Sequence, residues 1–596
     1  MLDVARRVAQ EREPNQPSPG GAASGAAPRS NLEIARSITL RPIAEIAAAL
    51  GILDDELQPF GRHIAKIDSR RVWERVKDCP NGRYIDVTGI TPTPLGEGKT
   101  LVTIGLSMAL NTIGKRAIGT IRQPSLGPVF GIKGGAAGGG YSQVLPMEQL
   151  NLHLTGDNHA VALAHNLLAA VVDAHLAHGN ALDLDPVSVT WPRVVDVNDR
   201  ALRQIVIGLG GRENGQPRET RFDIAVASEV MAILSLSCDI FELRRRLGAI
   251  TVGYTRDRCP VTADDLKAAG AMTVLLKEAI NPNLLQTTEH TPVLVHTGPF
   301  ANIAHGNSSV LADAIGLKLA DYVVTESGFG ADMGFEKFMH IKCRSAGLLP
   351  DVAVVVCTAR ALKMHSGQFN VALGKPLDAG LRHENLEAIE AGAPNLEKHI
   401  QNVGRFGVPV VVAINRFETD TTAELELIRT MSLQAGAVDA QISDVWAHGS
   451  AGGEDLARAV VAVTEARPKV GHVPQFLYPL DAPIKEKIEV VASQVYGAGG
   501  VEYLPRAERQ IRQFTEQGLG SLPICMAKTP LSLSDDSKLR GRPTGFRITI
   551  REVRAYTGAG FLCPIAGDIM TMPGLSSTAA VHQIDINDQG EIVGLF

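Results

Sequence analysis

Short apolar runs alternate with amphipathic helical patterns along much of this chain. Residues 84–90 form an apolar, β-prone run, and residues 101–110 follow with the spacing of an amphipathic helix. Further apolar runs, separated by helical patterns, cover residues 116–121, 320–324, 352–357 and 408–414. Strands that alternate with helices pair in parallel, so the pattern predicts an α/β protein with a mostly parallel, doubly wound sheet.

Composition and length divide the chain into a tail and three folded parts. Residues 1–30 are polar and then rich in Pro, Gly, Ala and Ser, which predicts a disordered tail because such a segment buries too little apolar surface to offset its ordering entropy. The chain of 596 residues exceeds what one hydrophobic core holds. We predict a P-loop nucleotide-binding α/β domain over residues 31–365, then two smaller α/β domains over residues 366–475 and 476–596.

The bulk composition indicates a globular protein of a reducing compartment. Hydrophobic residues make up 45% and charged residues 20%, and a net charge of −6 provides no basic surface for nucleic acid. We find no apolar run of membrane-spanning length and no apolar core of a secretion signal at the N-terminus. The seven cysteines are scattered without metal-ligand spacing. These observations predict a cytoplasmic protein whose partners include neither nucleic acid nor a membrane.

A loop with the composition of a phosphate-binding loop joins the first predicted strand to its helix. Glycines let backbone N–H groups approach a phosphate, and the helix N-terminus adds partial positive charge. Lys99 would reach the terminal phosphates, and the hydroxyl of Thr100 would complete a Mg²⁺ shell. Thr93 stands where the usual pattern has glycine, and the alternative interpretation is a glycine turn before a helix. The predicted ATP-binding residues are Thr93, Pro94, Leu95, Gly96, Glu97, Gly98, Lys99 and Thr100.

A second glycine-rich loop follows the second predicted strand. Residues 131–140 include six glycines and no acidic residue. A flexible linker is the alternative, but a backbone that passes close to a ligand explains this apolar composition better. Arg122 and Lys133 would give the loop its anion-facing charge. Asp157 precedes a long helix rich in alanine and leucine, and its residue type suits an N-cap and a catalytic role equally.

Polar residues follow three of the predicted strands at the points where the strands end. They are residues 325–332, Arg360 with residues 363–365, and residues 415–417. In a doubly wound sheet the carboxyl ends of the strands form the ligand-binding edge. We therefore predict that these groups belong to one site.

Seven motifs, in one order along the chain, resemble those of the formate–tetrahydrofolate ligase family, monofunctional type. They are Thr-Pro-Leu-Gly-Glu-Gly-Lys-Thr (93–100), Pro-Ser-Leu-Gly-Pro (124–128), Gly-Ile-Lys-Gly-Gly-Ala-Ala-Gly-Gly-Gly-Tyr (131–141), Asn-Asp-Arg (198–200), Phe-Gly-Ala-Asp (329–332), Asn-Arg-Phe (415–417) and Gly-Asp-Ile-Met-Thr-Met-Pro-Gly-Leu (567–575). The resemblance extends from about residue 32 to the end. Each motif alone is weak, but the ordered set is specific.

The resemblance implies a homotetrameric enzyme that uses ATP to join formate to N10 of tetrahydrofolate through a formyl phosphate intermediate. It makes Lys99, Arg122 and Asp157 the catalytic residues. Arg122 would hold formyl phosphate, for which a guanidinium fork has the right shape, and Asp157 would assist the folate step. Mg²⁺ would be bound with ATP at Thr100.

The resemblance also assigns the folate and cation sites. Phe417 and Trp446, both in the second predicted domain, would enclose a flat ring, and Phe329 would contact the folate side. Considered alone, Trp446 is more typical of a core position. Gln123 stands where the family often has Glu, at a position associated with a monovalent cation. Since an amide lacks the charge that attracts K⁺ or NH₄⁺, we expect weak dependence on such cations.

Two other functions share parts of this pattern. One is a different ATP enzyme, either a P-loop kinase or another carboxylate-activating ligase. The other is a nucleotide-dependent switch or assembly protein. ATP consumption that requires both formate and tetrahydrofolate would support the ligase, whereas hydrolysis with neither would favour the switch.

Overall fold

The computed structural model describes residues 29–94, 96–133, 136–369, 377–466 and 475–595, apart from the side chains of residues 132 and 133. The predicted tail lies outside these ranges except for its last two residues. Ser30 and Glu33 form a capping box at the start of helix Asn31–Ser37, which begins the folded part. Leu95 also lies outside the described residues.

A twelve-stranded sheet forms the centre of the protein. Its strands in chain order are β1 (Leu57–Pro59), β2 (Ala65–Ile67), β3 (Arg83–Gly89), β4 (Ala117–Ile121), β5 (Gly138–Gly139), β6 (Ser142–Leu145), β7 (Asn283–Thr287), β8 (Pro292–Val295), β9 (Tyr322–Glu326), β10 (Val352–Cys357), β11 (Val410–Asn415) and β12 (Asp439–Ser443). Seven of them run parallel in the spatial order β8-β4-β9-β3-β10-β11-β12. The α/β class and the mostly parallel sheet are therefore confirmed.

The sheet continues beyond β8 with antiparallel strands, which makes it mixed. Strand β7 pairs with β8 as a hairpin, and β2, β1, β6 and β5 extend the sheet from β7. At the other end β11 and β12 fall within residues 366–475, the second predicted domain, and pair directly with the rest. The sheet thus crosses the predicted border at residue 365, and the division into domains stays a prediction.

Alternate residues of the parallel strands pack into two separate cores. Val323 and Val355 contribute to the larger core, whereas their neighbours Val324 and Val354 contribute to the second, with helix Lys99–Thr112. Both faces of the sheet are therefore covered, and this burial explains the continuous apolar runs in the sequence. The α-helices of seven or more described residues are Asn31–Ser37, Ile43–Ala49, Ser69–Val76, Lys99–Thr112, Asp157–Ala177, Glu229–Leu236, Ile240–Gly248, Ala269–Leu275, Val310–Leu319, Ala359–His365, Leu386–Arg405, Thr422–Gln434, Glu454–Glu465, Ile484–Val490 and Pro505–Glu516.

A smaller three-stranded sheet follows in the C-terminal part. It consists of β13 (Val501–Tyr503), β14 (Ile548–Tyr556) and β15 (Phe561–Ala566), and it shares a third core with the two C-terminal helices. Glu229 connects this part to the central one because its carboxylate accepts hydrogen bonds from the backbone N–H groups of Gly558 and Ala559.

Among the described residues one helix, Asp157–Ala177, is long and apolar enough to cross a membrane by length and composition. No apolar run of this length was predicted from the sequence, and this helix corrects that expectation. Val161, Leu168 and Val172 lie in the larger core, and the helix packs against helix Ala269–Leu275. One face of this apolar helix therefore lies in the core.

Candidate active site

The loop between β3 and helix Lys99–Thr112 presents an open helix N-terminus. Gly98 precedes the helix with a φ of +79°, and Gly96 has a φ of +75°. A Cβ at residue 98 would overlap Nδ2 of Asn415, so both the backbone conformation and the close approach require glycine there. The N-cap glycine has no side chain to bond the first helical N–H groups, which leaves them able to bind an anion.

Hydrogen bonds from within the loop and from Asn415 stabilise the interior of the loop. The N–H of Thr93 donates to Oε1 of Glu97 at 2.6 Å, and the Glu97 side chain is buried. Nδ2 of Asn415 donates to the Glu97 carbonyl at 3.0 Å. Glu97 therefore stabilises the loop conformation, whereas Lys99 and Thr100 lie half-buried at the start of the helix.

Thr100 contacts an acidic residue at the end of the neighbouring strand. Its hydroxyl Oγ1 donates to Oε2 of Glu326 at 2.7 Å, and Glu326 is the last residue of β9. A hydroxyl and a carboxylate are the hard oxygen ligands that Mg²⁺ prefers, so this pair fits the ion that accompanies ATP. In the sequence Glu326 is only one residue of the polar run 325–332. Its contact with Thr100 becomes visible only in the folded protein.

Arg122 follows β4 and faces the same edge. Nη1 donates to the Pro299 carbonyl at 3.2 Å, while Nε is buried without a hydrogen-bond partner among the described residues. Burial lowers the pKa of the guanidinium below its usual value, and the Glu326 carboxylate opposes that shift. Glu326 thus lies within electrostatic range of Arg122 and in direct contact with Thr100, which brings the two halves of the predicted anion site together.

Asp157 is not an N-cap. Gly156 holds that position with a φ of +87°, and Asp157 is the first residue of the helix. Its buried carboxylate pairs with Nζ of Lys66 at 2.9 Å and accepts a hydrogen bond from Nδ2 of Asn283 at 2.8 Å. A buried ion pair of this kind orients the carboxylate firmly. Neither Lys66 nor Asn283 was predicted as a partner, because both are remote from Asp157 along the chain.

The two predicted ring-binding residues follow adjacent parallel strands. Asn415 of β11 lies opposite Ser443 of β12, with Phe417 shortly after the first and Trp446 shortly after the second. The Arg360 guanidinium lies 4.1 Å from the centroid of the Phe417 ring. Trp446 is 40% exposed, which is unusual for a tryptophan with only a packing role.

The second glycine-rich loop packs against Trp446. The N–H of Tyr141 donates to the Trp446 carbonyl at 2.8 Å, and a Cβ at Gly140 would overlap that carbonyl. Gly140 also has a φ of +55°. This part of the loop therefore supports the tryptophan rather than acting as a linker.

Phe329 occupies a strained position in the loop after β9. Its φ of +63° lies in the left-handed region, which is uncommon for residues other than glycine and tends to occur at functional sites. A Cβ at the preceding Gly328 would lie 3.1 Å from Nη2 of Arg122. The Phe329 loop thus lies directly on the predicted formyl phosphate site.

Two polar residues grouped with Arg360 in the sequence have structural roles. Nζ of Lys363 pairs with Oε1 of Glu424 at 2.6 Å in the interior. Nε2 of His365 donates to the Thr91 carbonyl at 2.8 Å and so supports the start of the phosphate loop. Of these three residues, Arg360 alone is seen to contact a predicted ring-binding residue, Phe417.

Comparison with known proteins decides the family. The family model described as formate–tetrahydrofolate ligase matches residues 29–596. The chain belongs to the formate–tetrahydrofolate ligase family. The ligase of Roseiflexus sp. (strain RS-1) is 62% identical over 566 residues, which are 95% of this chain and 100% of that protein. The ligase of Desulforamulus reducens is 58% identical over 567 residues, which are 95% of this chain and 99% of that protein.

A third relative, the formate–tetrahydrofolate ligase of Saccharopolyspora erythraea, is 55% identical over 566 residues, or 95% of this chain and 99% of that protein. The resemblance drawn from the motifs is therefore confirmed, and the chain is an enzyme of this ligase family. The roles of its individual residues stay predictions.

Gln123, the departure from the family pattern, is buried beside Arg122. Neither atom of its side-chain amide has a hydrogen-bond partner among the described residues. The amide oxygen is a suitable cation ligand, but it carries no charge. No group of three or more His, Cys, Asp or Glu that would hold a metal ion occurs in the described part of the ligase.

Proposed function

We propose that this ligase joins formate to N10 of tetrahydrofolate in two steps, at the expense of one ATP. A formate oxygen attacks the γ-phosphorus and ADP leaves, which forms formyl phosphate. N10 then attacks the formyl carbon, inorganic phosphate leaves with the bridging oxygen, and the N10 proton is lost. The contact between Thr100 and Glu326, with Arg122 close to the same carboxylate, carries the proposal because one carboxylate adjoins both the predicted phosphate loop and the predicted anion site.

The first step needs mainly positioning and charge neutralisation. The open N-terminus of helix Lys99–Thr112 binds the phosphates, and Lys99 neutralises charge on the transferred group. Thr100 and Glu326 would hold Mg²⁺, which supplies further neutralisation at the phosphate oxygens. The predicted ATP residues 93–100 thus divide into a closed interior at Thr93 and Glu97 and a phosphate-facing end at Gly98 to Thr100.

Arg122 is suited to hold the mixed anhydride. Formyl phosphate carries negative charge on its phosphoryl oxygens, and a guanidinium offers several donors in one plane. Because Nε has no hydrogen-bond partner among the described residues, Arg122 is able to bind the anion without losing a protein contact there. Its burial excludes water, which protects an intermediate that water would hydrolyse.

The second step requires the folate ring and N10 beside the formyl group. Phe417 and Trp446 bind the flat ring by stacking, a contact worth about 1–3 kcal/mol per ring, and Phe329 contacts the folate from the side of Arg122. Asp157 assists removal of the N10 proton. The Lys66 ammonium fixes the direction of that carboxylate.

We further propose that the ligase is cytoplasmic and homotetrameric, and that monovalent cations affect it weakly because Gln123 is neutral. Strong activation by K⁺, compared with a bulky organic cation at matched ionic strength, would contradict the last point. ADP release measured with each substrate omitted in turn tests the ligase function itself. We expect turnover only with formate and tetrahydrofolate together.

Isotope transfer tests the intermediate. With formate labelled by ¹⁸O in both oxygens, formyl phosphate requires one labelled oxygen to appear in inorganic phosphate. Product formation with unlabelled phosphate would exclude the proposed route while leaving the ligase activity intact. ADP release without either carbon substrate would instead favour a nucleotide-dependent switch.

A further inference from the structure

The Phe-Gly-Ala-Asp motif (329–332) ends in a buried acidic residue that contacts the C-terminal part of the ligase. Asp332 is fully buried, and its Oδ2 lies 2.8 Å from Nζ of Lys528, which is also fully buried. The Lys528 ammonium donates to the Ser532 carbonyl as well and lies 4.8 Å from the centroid of the Tyr496 ring. This ion pair therefore joins the loop after β9 to a segment outside the central sheet.

The segment that carries Lys528 is attached to the C-terminal sheet. The N–H of Ala527 donates to the Pro564 carbonyl at 2.9 Å, and the Ala527 carbonyl accepts a hydrogen bond from the N–H of Ala566 at 2.8 Å. Pro564 and Ala566 both belong to β15. The ammonium is thus presented from a sheet with its own core, and the loop after β9 is held against that sheet.

The loop after β9 is tightly packed on the side of the phosphate loop as well. A Cβ at Gly330 would lie 2.8 Å from Oδ1 of Asp332 and 2.9 Å from both the Ile90 carbonyl oxygen and Cε1 of His399. Ile90 comes directly after β3, where the phosphate loop begins. The Asp332 carboxylate is therefore part of a close contact between the two loops of the predicted site.

A buried ion pair is a poor source of net stability, because the loss of hydration offsets much of the attraction between the charges. Conformational specificity is the better explanation here, since Phe329, in the same loop, has a φ of +63°. A residue other than glycine keeps such a conformation only where its surroundings fix it.

We propose that Lys528 is a positioning residue for the folate step: it anchors Asp332 and so holds Phe329 in its strained conformation at the folate site. This inference rests on the proposed function, in which Phe329 contacts the folate. No bond is made or broken at Lys528. The C-terminal part, to which the motifs assign no catalytic residue, thereby contributes to substrate affinity.

Two variants separate this role from a contribution to stability. Lys528→Met leaves the Asp332 carboxylate buried without its partner and should lower the unfolding temperature, whereas Lys528→Met/Asp332→Asn removes both charges and should restore most of it. Since the anchor is lost in each, we expect the KM for tetrahydrofolate to rise about tenfold in both, while the KM for ATP changes less than about twofold. An unchanged KM for tetrahydrofolate in the double variant would overturn the inference.

Lys487→Met is the matched control. Lys487 is another fully buried lysine of the C-terminal part, and its ammonium donates to the carbonyls of Leu480, Gly520 and Leu522. Lys487→Met should lower the unfolding temperature but keep the KM for tetrahydrofolate within about twofold. An equal rise of this KM in Lys487→Met and in the double variant would overturn the inference, because general loosening of the C-terminal part would then be the cause.

Phe329→Ala tests whether Lys528 acts through the phenylalanine ring, since alanine removes the ring but keeps the backbone strain. Phe329→Ala alone should raise the KM for tetrahydrofolate, and adding Lys528→Met/Asp332→Asn should raise it less than about twofold further. Additive effects, or an unchanged KM in Phe329→Ala, would overturn the inference. If the unmodified enzyme consumed ATP without tetrahydrofolate, the proposed function itself would fail instead.

Discussion

The side-chain amide of Asn415 donates a hydrogen bond to the backbone carbonyl of Glu97 across 3.0 Å. It joins the end of β11 to the interior of the phosphate loop. Phe417 lies two residues beyond Asn415, so the nucleotide loop and one wall of the proposed ring site are attached to the same strand end. We therefore expect a change in either one to affect the other.

Asn415→Ala should weaken ATP binding and its coupling to folate binding. The loop carbonyl loses its donor, and the space beside Gly98 is no longer filled. We expect the KM for ATP to rise on the order of tenfold. The affinity for tetrahydrofolate, measured with and without a non-hydrolysable ATP analogue, should depend less on the nucleotide than in the unmodified enzyme.

Asn402→Ala is the matched control for this prediction. Asn402 is also fully buried, on helix Leu386–Arg405, and its amide has no hydrogen-bond partner among the described residues. Asn402→Ala should leave both the KM for ATP and the affinity for tetrahydrofolate unchanged. Equal kinetic effects of the two variants would show that loss of packing, and not the bond to Glu97, is responsible.

Lys99→Met should abolish turnover while the fold persists. Lys99 is half-buried at the loop, so its replacement removes charge at the transferred phosphoryl group with little effect on the core. We expect kcat to fall by a factor on the order of a hundred or more. Turnover should also be lost in Arg122→Lys, because an ammonium does not offer the paired donors of a guanidinium. Near-normal ADP release by Lys99→Met would remove the phosphate loop from the mechanism.

Gly140→Ala should impair folate binding selectively. Its Cβ would overlap the Trp446 carbonyl, so the tryptophan must move away from its present position. The KM for tetrahydrofolate should rise several-fold while the KM for ATP stays unchanged. Gly436→Ala is the control, since it also has a positive φ but no neighbouring atoms within 4 Å, and it should affect stability alone.

Acid should destabilise the protein through buried histidines, of which His165 is a clear case. Burial lowers the pKa of His165 from 6.5 to about 4, and Nε2 donates to the Pro192 carbonyl. At a pH between 4 and 6.5 the imidazole of His165 binds a proton in the unfolded chain but not in the native state. The stabilising contribution is therefore complete above pH 6.5 and is lost as the pH falls toward 4, by about 3 kcal/mol in all.

Urea unfolding at pH 7.5 and pH 5 tests this sign. His165→Gln removes the titrating group. Between pH 7.5 and pH 5 the free energy of unfolding should therefore fall by about 2 kcal/mol less in this variant than in the unmodified protein. His178→Gln, at an exposed position just after the same helix, should leave the pH dependence unchanged. If the free energy of unfolding of His165→Gln fell as much between the two pH values as that of the unmodified protein, the lowered pKa of His165 would not be the cause.

Much of the parallel sheet was predictable because its strands are buried on both faces. Residues 352–357 match β10 residue for residue. The predicted run 84–90 is displaced by one residue from β3, and the run 116–121 begins one residue before β4. The run 320–324 is displaced by two residues from β9. Its polar end, Thr325 and Glu326, does not look like a strand, although pairing with β3 extends it.

The remaining features depend on contacts between distant parts of the chain. No strand was predicted for the hairpin of β7 and β8, and no local pattern links Lys66 to Asp157, which are 91 residues apart. The N-cap prediction for Asp157 was wrong because residue type alone favours Asp over Gly, whereas the backbone at residue 156 adopts a positive φ. Polar atoms without partners, such as those of Gln123, become visible only when the fold is known.

The spatial order of the strands has a consequence for synthesis of the protein. Strand β3, which leads into the phosphate loop, has β9 and β10 as its neighbours, and these follow it in the chain by roughly 230 residues or more. At about 5–20 residues per second, a ribosome needs roughly ten to fifty seconds to make the first of them. During that interval both edges of the apolar strand β3 lack their native partners. We therefore expect chaperones to bind the nascent chain.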